Sequence, residues 1–563
     1  MQISGATRRN WDRLSVTNTG DRLTKRANKT NSKKRIVPYE YITDTANLPA
    51  VLQIADVIIS NGYDVSSAMF SVLLNRFDAL GISEHRNVKA FIRSYSNLSV
   101  ICGIMSMKLP DNECDFPGLI YQSLYIEGDK NKRGLYYTPP DVAAGLSAGL
   151  DFSCGQTILD PCCGSGSFLL GTTAKDPLQL YGADSDPIAV MICKANLIMR
   201  FKDYDFDPQI YHMDFINDNN HGLKSMRFNY VSTNPPWGAV TNKSGETFEM
   251  FLNGSLKMLS DGGVLNVLLP QSVLNVKAHR VIRHHILENY SLAGIKMFPA
   301  MFSGVTTQVC ALKVVNSRDI NTVVIEEDGR EYTACTDIYM KSRNRVYMRV
   351  DEDDTAILDI LESHGKHSIS NSRWALGIVT GNNAALLFDA PTDGTEPIYT
   401  GKEVSPYKLL PPEKHIVYNR DTFQQAAGDE MYRADEKLVY KFISKRPVFA
   451  YDNTGALLLN SANMLIPKIP GMSIKTVMLF LNSELFAFAY IKKFGEPKIL
   501  QGNLCDMPFP EISGEDDTSF RTIADRIIRG DISAADDANA AAYAYYGLTV
   551  RQIEHVKKEL KRL

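Results

Sequence analysis

The sequence predicts the α/β fold class, with a mostly parallel sheet at its centre, a helical N-terminal region and a mixed α+β C-terminal domain. Between residues 131 and 316, short apolar strands alternate with helical segments, the pattern of a parallel sheet covered by helices on both faces. Before this stretch, apolar residues recur three and four positions apart, as in Leu48–Ser60 and Ser66–Leu80. After it, Gly, Pro and Asn interrupt short apolar runs, which favours mixed structure.

The chain has 563 residues, which is enough for several domains. The predicted divisions are a basic arm (1–36), a helical region (37–130), an α/β domain (131–316), a mixed domain (317–515) and a C-terminal helical region (516–563). The basic arm is interpreted as a solvated tail or, alternatively, as a segment that contacts nucleic acid.

The composition excludes several classes of protein. The formal net charge is −3, so the surface is not basic throughout, although a local basic cleft still binds phosphates. Nine scattered cysteines without a C-x-x-C pair argue against a disulfide scaffold or a zinc ribbon. No secretory signal and no run of about 18 apolar residues is visible. We therefore expect a cytoplasmic protein of a bacterium that does not span a membrane.

The first motif is a glycine loop, Asp160–Phe168, which follows a predicted strand and opens a helix. Glycines let the backbone turn tightly and approach a ligand, and a helix N-terminus favours negative charge. The alternative is an ordinary strand-to-helix turn. Asp184 ends the next predicted strand, where a carboxylate can accept hydrogen bonds from both hydroxyls of a ribose. The alternative for this position is a helix cap before Pro187, a role that also suits Asp186.

Two weaker signals accompany the loop. Asp214 and Phe215 follow a third strand, where they could hold an adenine ring, although a surface Asp beside a core Phe is equally consistent with the sequence. Thr138 precedes Pro139 and Pro140 at the start of a predicted helix, where it is either a ligand contact or the N-cap.

The motif that decides the chemistry is Asn234–Trp237, Asn-Pro-Pro-Trp, directly after the strand Tyr230–Thr233. Two prolines at a strand end remove ladder hydrogen bonds, so a purely structural use is uncommon. An aromatic amine is a poor nucleophile because its lone pair is delocalised. The Asn234 side-chain oxygen and the Pro235 carbonyl can accept both amino hydrogens, while Pro236 fixes the turn and Trp237 stacks on the base.

Together these motifs, in this order, resemble the gamma-class (Taq-type) DNA adenine-N6 methyltransferases of bacterial restriction–modification systems. The resemblance implies a Rossmann-like methyltransferase domain over 131–316 and a DNA target-recognition domain over 317–515. It implies S-adenosylmethionine as the cofactor and, as cofactor-binding residues, Thr138, Asp160, Pro161, Cys162, Gly164, Gly166, Phe168, Asp184, Asp214 and Phe215. Catalysis would fall to Asn234, Pro235, Pro236 and Trp237, with Trp237 and Phe302 stacking on the target base and Phe298 as the alternative to Phe302.

The resemblance has two departures. Many relatives have Tyr or Phe where this chain has Trp237, and the smallest relatives lack a counterpart of residues 1–130. We expect double-stranded DNA as a partner, base flipping before in-line methyl transfer, and no metal, because no ligand cluster is visible. A separate restriction endonuclease or specificity subunit stays open. So do two other functions: methylation of RNA or protein amides, and a non-catalytic DNA-recognition subunit.

Overall fold

The computed structural model describes residues 37–38, 41–110, 115–125, 138–218, 221–237, 247–274, 276–298, 308–327, 329–337, 339, 350–495 and 498–562. The chain divides into two compact units with a boundary between residues 346 and 347. The basic arm 1–36 and Phe302 lie outside the described residues. Within the described ranges, no single helix has the length and apolar character to cross a membrane, and one bent pair, Ile474–Asn482 with Glu484–Phe494, meets that test only jointly.

The N-terminal unit begins with a helical layer, as predicted. Its helices are Leu48–Ser60, Val65–Ala79, Arg86–Ser94, Cys102–Met105 and Phe116–Leu124. Asp64 starts the second helix because its side chain accepts a hydrogen bond from the Ser67 amide. Buried residues of this layer, such as Ile54 and Leu73, share one apolar core with Ile192 of the later helix Pro187–Arg200. The layer therefore packs on one face of this helix, whose other face, with Val190 and Leu197, packs on the sheet.

A nine-stranded sheet forms the centre of the N-terminal unit. Its strands are β1 (Ile158–Asp160), β2 (Leu180–Asp184), β3 (Gln209–His212), β4 (Phe228–Thr233), β5 (Leu259–Pro270), β6 (Ser291–Phe298), β7 (Val309–Val315), β8 (Thr322–Glu327) and β9 (Arg330–Cys335). Their spatial order is β3-β2-β1-β4-β5-β7-β6-β8-β9. The pairs among β3, β2, β1, β4 and β5 are all parallel, whereas β7 runs antiparallel to both of its neighbours.

The helices of the sheet are Pro140–Ser147, Ser167–Leu170, Pro187–Arg200, Thr247–Lys257 and Arg280–Asn289. The mostly parallel α/β sheet predicted from the alternating pattern is thus confirmed. The sheet extends beyond the predicted boundary at residue 316, because β8 pairs with β6 and continues it as the edge hairpin β8–β9. Only alternate residues of β8 are buried, such as Val323 and Ile325. Its sequence therefore lacks the continuous apolar run of a central parallel strand, and the hairpin was predicted to belong to the next domain.

The C-terminal unit contains two small sheets surrounded by helices. Its strands are β10 (Arg373–Leu376), β11 (Leu387–Phe388), β12 (Glu396–Tyr399), β13 (Val404–Ser405), β14 (Tyr407–Leu409), β15 (Lys414–Ile416), β16 (Lys437–Lys441), β17 (Phe449–Asp452), β18 (Leu457–Leu458) and β19 (Ala462–Ile466). One sheet has the order β10-β19-β16-β17-β14-β13 and the other β11-β15-β12-β18. The predicted mixed α+β character is confirmed.

The helices of the C-terminal unit are Glu352–His364, Asn383–Leu386, Asp429–Tyr432, Ile474–Asn482, Glu484–Phe494, Gln501–Cys505, Gly514–Ile528, Ala534–Tyr545 and Val550–Lys561. The last three correspond to the helices predicted for residues 516–563. They pack on the rest of the unit through aromatic rings: Phe480 contacts both Phe520 and Tyr546. These helices therefore complete the core of the C-terminal unit.

Candidate active site

The predicted site residues gather at one edge of the nine-stranded sheet. β1 ends at Asp160, β2 ends at Asp184, and Asn234 follows β4. These strands are parallel neighbours, so their carboxyl ends meet at the same edge, where ligands bind in open α/β sheets. The topology thus brings together motifs that are more than seventy residues apart in sequence.

Asp160 lies at the centre of this edge and is 1% exposed. Its Oδ1 accepts hydrogen bonds from the Thr233 hydroxyl at 2.8 Å and from the Cys162 amide at 3.2 Å. Burial raises the pKa of Asp160 to about 7, more than these two hydrogen bonds lower it. Among the described residues, no cationic side chain forms an ion pair with this carboxylate.

The glycine loop needs its glycines for steric reasons. Gly164 and Gly166 have positive φ angles of 52° and 102°. A Cβ at Gly166 would also lie 2.9 Å from the Cys193 sulfur. The helix that follows, Ser167–Leu170, is a single turn, and Phe168 points into an apolar cluster with Leu268 rather than towards solvent.

Asp184 and Asp186 divide two roles that the sequence left open. Asp186 is the N-cap of helix Pro187–Arg200 and accepts from the Ile188 amide at 2.9 Å. Asp184 is not a cap. Its two oxygens accept from the amides of Gly164, at 2.8 Å, and of Asp186, at 2.9 Å, and burial raises its pKa. Asp184 therefore joins the end of β2 to the glycine loop.

The pair after β3, Asp214 and Phe215, is held by contacts within the protein. Asp214 is half-buried and accepts from the Ile216 and Asn217 amides. Partial burial would raise its pKa, but the hydrogen bonds outweigh it and the pKa is lowered. Phe215 is 2% exposed, stacks on Phe251 and has the Lys224 ammonium 3.5 Å from its ring centre. The side chain is a core residue in this structure, which agrees with the alternative drawn from the sequence, and its stacking on an adenine stays a prediction.

The Asn-Pro-Pro-Trp segment is joined directly to the glycine loop. The Cys162 sulfur lies 2.9 Å from the Thr233 hydroxyl oxygen, and the thiol donates to the Asn234 carbonyl at 3.4 Å. Burial raises the pKa of Cys162 well above its usual value, so the group is a neutral thiol donor. The loop that would carry a cofactor and the loop that would hold an amine are therefore in contact.

Trp237 packs against an apolar cluster that includes Phe168 and Leu268, and its indole N–H donates to the Leu268 carbonyl at 3.4 Å. Phe298, at the end of β6, packs on the same cluster. Pro235 is buried and Pro236 half-buried. The alternative aromatic to Phe302 thus contacts the same apolar cluster as Trp237, while Phe302 itself is outside the described residues.

Thr138 is 3% exposed, so it belongs to the interior of this region. The N-cap of helix Pro140–Ser147 is Pro139, and the helix has no side-chain cap. The alternative interpretation of Thr138 as an N-cap is therefore wrong. Its buried hydroxyl stays a candidate for ligand contact.

Sequence reasoning missed a set of polar residues that contact the two cofactor loops from the helical layer. Tyr41 and Asp115 reach the serines of the glycine loop, and Tyr121 reaches Asp186. No short motif marks these positions, because their partners are about fifty or more residues away along the chain.

One group among the described residues has the distances of a metal site: Asp351, Asp354 and His555 in the C-terminal unit. The Lys492 ammonium lies 2.6 Å from Asp354, and His555 lies 2.7 Å from the same carboxylate. The Asp354 carboxylate thus forms an ion pair with Lys492 and a hydrogen bond with His555.

Comparison with known proteins identifies two family domains in this chain. A family model described as N-6 DNA Methylase matches residues 118–353, and one described as TaqI-like C-terminal specificity domain matches residues 396–508. The chain thus contains an N-6 DNA methylase domain followed by a TaqI-like specificity domain, which supports an N6-adenine DNA methyltransferase of a bacterial restriction–modification system. The resemblance drawn from the motifs is thereby confirmed.

Two relatives of this N6-adenine methyltransferase illustrate the range of the family. The Type II methyltransferase M.VspI of Vibrio sp. (strain 343) is 28% identical over 319 residues, which are 52% of this chain and 76% of the relative. The Type I restriction enzyme MjaIX methylase subunit of Methanocaldococcus jannaschii is 29% identical over 180 residues, 30% of this chain but only 26% of the relative.

Solved structures show that the fold extends over both units. The Type IIL restriction-modification enzyme MmeI, solved in complex with DNA, has a TM-score of 0.60 at 10% identity, covering 92% of this chain and 99% of MmeI. The ATP-dependent Type ISP enzyme LlaBIII, bound to DNA, has a TM-score of 0.51 at 11% identity, covering 94% of this chain and 49% of LlaBIII. At these identities, the likeness concerns the fold alone.

Proposed function

We propose that this methyltransferase transfers a methyl group from S-adenosylmethionine to N6 of an adenine that is flipped out of a short duplex target. Its place would be the modification component of a restriction–modification or related defence system. The observation that carries the proposal is the contact between the Asp160–Phe168 loop and Asn234, made through Cys162. This contact holds the cofactor loop and the amine-binding loop next to each other, as direct group transfer requires.

The donor set at the sheet edge suits this cofactor. Asp160 is buried and Asp184 is half-buried, neither has an ion-pair partner among the described residues, and desolvation raises the pKa of both carboxyl groups. A ligand with a positive charge and a vicinal diol would relieve both carboxylates, Asp160 through its charge and Asp184 through hydrogen bonds. Bound there, S-adenosylmethionine supplies an activated methyl group, whose bond to sulfur breaks with the electron pair staying on sulfur.

The Asn-Pro-Pro-Trp segment would prepare the amine. The Asn234 side-chain oxygen and the Pro235 carbonyl accept the two amino hydrogens, which draws the nitrogen lone pair out of the ring and towards the methyl carbon. One nitrogen–carbon bond forms, and the nitrogen then loses a proton to solvent. Asn234 orients the amine and is not a strong base, so holding the amine in line supplies most of the rate.

Base flipping would place the adenine beside Trp237. Unstacking a base costs a few kcal/mol, and stacking on an indole offsets part of this cost. The indole packs on the apolar cluster that Phe298 also contacts. The TaqI-like specificity domain supports recognition of one target sequence, and we leave open whether a separate endonuclease or specificity subunit joins the enzyme.

The test is modification-sensitive sequencing of DNA from cells that express the wild-type protein or Asn234→Ala. We expect N6-methyladenine at one short motif in the wild type and at least a hundredfold less in the variant, whose DNA affinity should stay within about twofold of wild type. Methylation of RNA or protein instead of DNA, or full activity of Asn234→Ala, would overturn the proposal.

A further inference from the structure

The helix Phe116–Leu124 contacts both loops of the proposed cofactor site, although it ends 36 residues before the glycine loop begins. Its N-cap is Asp115, which is 5% exposed. Near its other end, Tyr121 faces the segment after β2. We call the segment Asp115–Leu124 the clamp helix.

The Asp115 carboxylate is saturated with neutral donors. Oδ1 accepts from the Gly118 amide at 2.9 Å and from the Asn196 side chain at 2.6 Å. Oδ2 accepts from the Tyr41 hydroxyl at 2.6 Å and from the Ser165 hydroxyl. Two donors on each oxygen leave little room for a ligand, so Asp115 acts on the site through the groups it holds.

Those groups fix the glycine loop. Asn196 donates to the Ser165 carbonyl at 2.9 Å, so Ser165 is held by its hydroxyl and by its backbone. The Tyr41 hydroxyl lies 2.6 Å from the Ser167 hydroxyl. A Cβ at Gly118 would overlap both the Asp115 carboxylate and the Ser165 hydroxyl, so the close approach of the clamp helix requires glycine there.

The clamp helix reaches the second loop through Tyr121. The Tyr121 hydroxyl donates to Asp186 Oδ2 at 2.6 Å. The Tyr125 hydroxyl lies 2.6 Å from the Tyr121 hydroxyl. Asp186 in turn donates its amide to Asp184, the proposed ribose ligand. One helix is thus hydrogen-bonded to the loop that would bind the methionine end and to the loop that would bind the ribose.

We propose that the clamp helix is a positioning element that sets the distance between the two cofactor loops, with Asp115 and Tyr121 as its positioning residues. This inference rests on the proposed use of S-adenosylmethionine. A buried carboxylate held only by neutral donors is costly for stability, so the loop geometry that Asp115 fixes explains its presence better than packing does. The helical layer is then part of the cofactor site.

The test measures the Kd for S-adenosylmethionine by calorimetry, together with Tm, in Asp115→Asn, Tyr121→Phe and Gly118→Ala. The amide of asparagine cannot accept all four of the hydrogen bonds that Asp115 accepts, so we expect the Kd to rise roughly tenfold. Tyr121→Phe removes one hydrogen bond to a carboxylate and should raise the Kd by about fivefold. The control is Tyr63→Phe in the same layer, whose hydroxyl has no hydrogen bond among the described residues; its Kd should equal that of the wild type.

The outcomes separate this inference from the proposed function. A wild-type protein that binds no S-adenosylmethionine would overturn both. A wild type that binds, with folded Asp115→Asn and Tyr121→Phe variants binding within twofold of it, would overturn the clamp alone. If Asp115→Asn does not fold, the Kd values of Tyr121→Phe and Gly118→Ala are compared with that of the wild type instead. At saturating cofactor, kcat of the variants should recover to within about threefold of wild type, which a catalytic role would not allow.

Discussion

The buried carboxylates of the two units differ in what surrounds them. In the N-terminal unit, Asp115 and Asp160 accept hydrogen bonds from neutral donors only, and burial raises the pKa of Asp115 to about 6 and that of Asp160 to about 7. In the C-terminal unit, Asp452 forms an ion pair with Lys437, and both side chains are at most 1% exposed. Burial alone would raise the pKa of Asp452, but the Lys437 ammonium lowers it.

The difference separates carboxylates that fix a fold from carboxylates that serve a site. A buried anion with its own cation is neutralised and stabilises the surrounding structure, while losing either partner leaves an uncompensated charge. A buried anion without a cation lowers stability and gains most from a cationic ligand or from exact placement of its donors. Three substitutions and one series of pH values test this difference, and they follow in order of the expected effect.

The largest effect is expected at the paired carboxylate. Asp452→Asn leaves the Lys437 ammonium buried without its counter-ion, so we expect the free energy of unfolding to fall by about 3 to 5 kcal/mol. Chemical denaturation measures this change. The control is Asp389→Asn, which removes the exposed pair with Lys414 and should leave the unfolding curve unchanged. Equal losses in the two variants would contradict the comparison.

At Asp160, which has no ion-pair partner among the described residues, we expect a loss of activity without a loss of stability. Asp160→Asn removes the charge that would hold the cofactor, so kcat/KM for S-adenosylmethionine should fall by roughly a hundredfold. The free energy of unfolding of the cofactor-free protein should not fall, because a charge that burial disfavours is gone. A variant that loses stability and keeps activity would place Asp160 with Asp452 among the structural carboxylates.

The pH dependence should separate affinity from stability. The folded-state pKa of Asp160 is about 7, above its ordinary value, so the folded protein takes up a proton that the unfolded chain does not as pH falls from about 8 to about 5. The Asp160 contribution to stability therefore rises across this window, while cofactor affinity falls by roughly tenfold. Thermal melts and calorimetry at matched pH check both signs. In Asp160→Asn, the two trends should be much weaker.

The smallest effect is expected at the contact between the two loops. Cys162→Ala removes the thiol that donates to the Asn234 carbonyl, and we expect kcat to fall by about threefold. Cys162→Ser keeps a donor of similar size and should restore most of the rate, with KM for DNA unchanged in both variants. If alanine and serine behave alike, this contact does not position Asn234.

Sequence reasoning located Asp160, Asp184 and Asn234 because each follows its own strand, and a parallel sheet brings strand ends together. It did not distinguish a core phenylalanine from a stacking one, since Phe215 has the same neighbours in sequence in both cases. Asp115 was also missed, because its partners Ser165 and Asn196 are 50 and 81 residues away. The sequence analysis placed the hairpin β8–β9 in the domain after residue 316, whereas β8 pairs with β6 of the central sheet. The alternation of buried and exposed residues in β8 does not indicate which strand it pairs with.

The ion pairs of Asp354 have a consequence for the C-terminal unit as a whole. They join its opening helix, Glu352–His364, to its closing helix, Val550–Lys561, through His555, and Arg551 adds a contact to Asp353. The two ends of a segment of about two hundred residues thus lie side by side, joined by side chains of these two helices. Losing the Asp354 carboxylate would therefore release both ends of this segment at once.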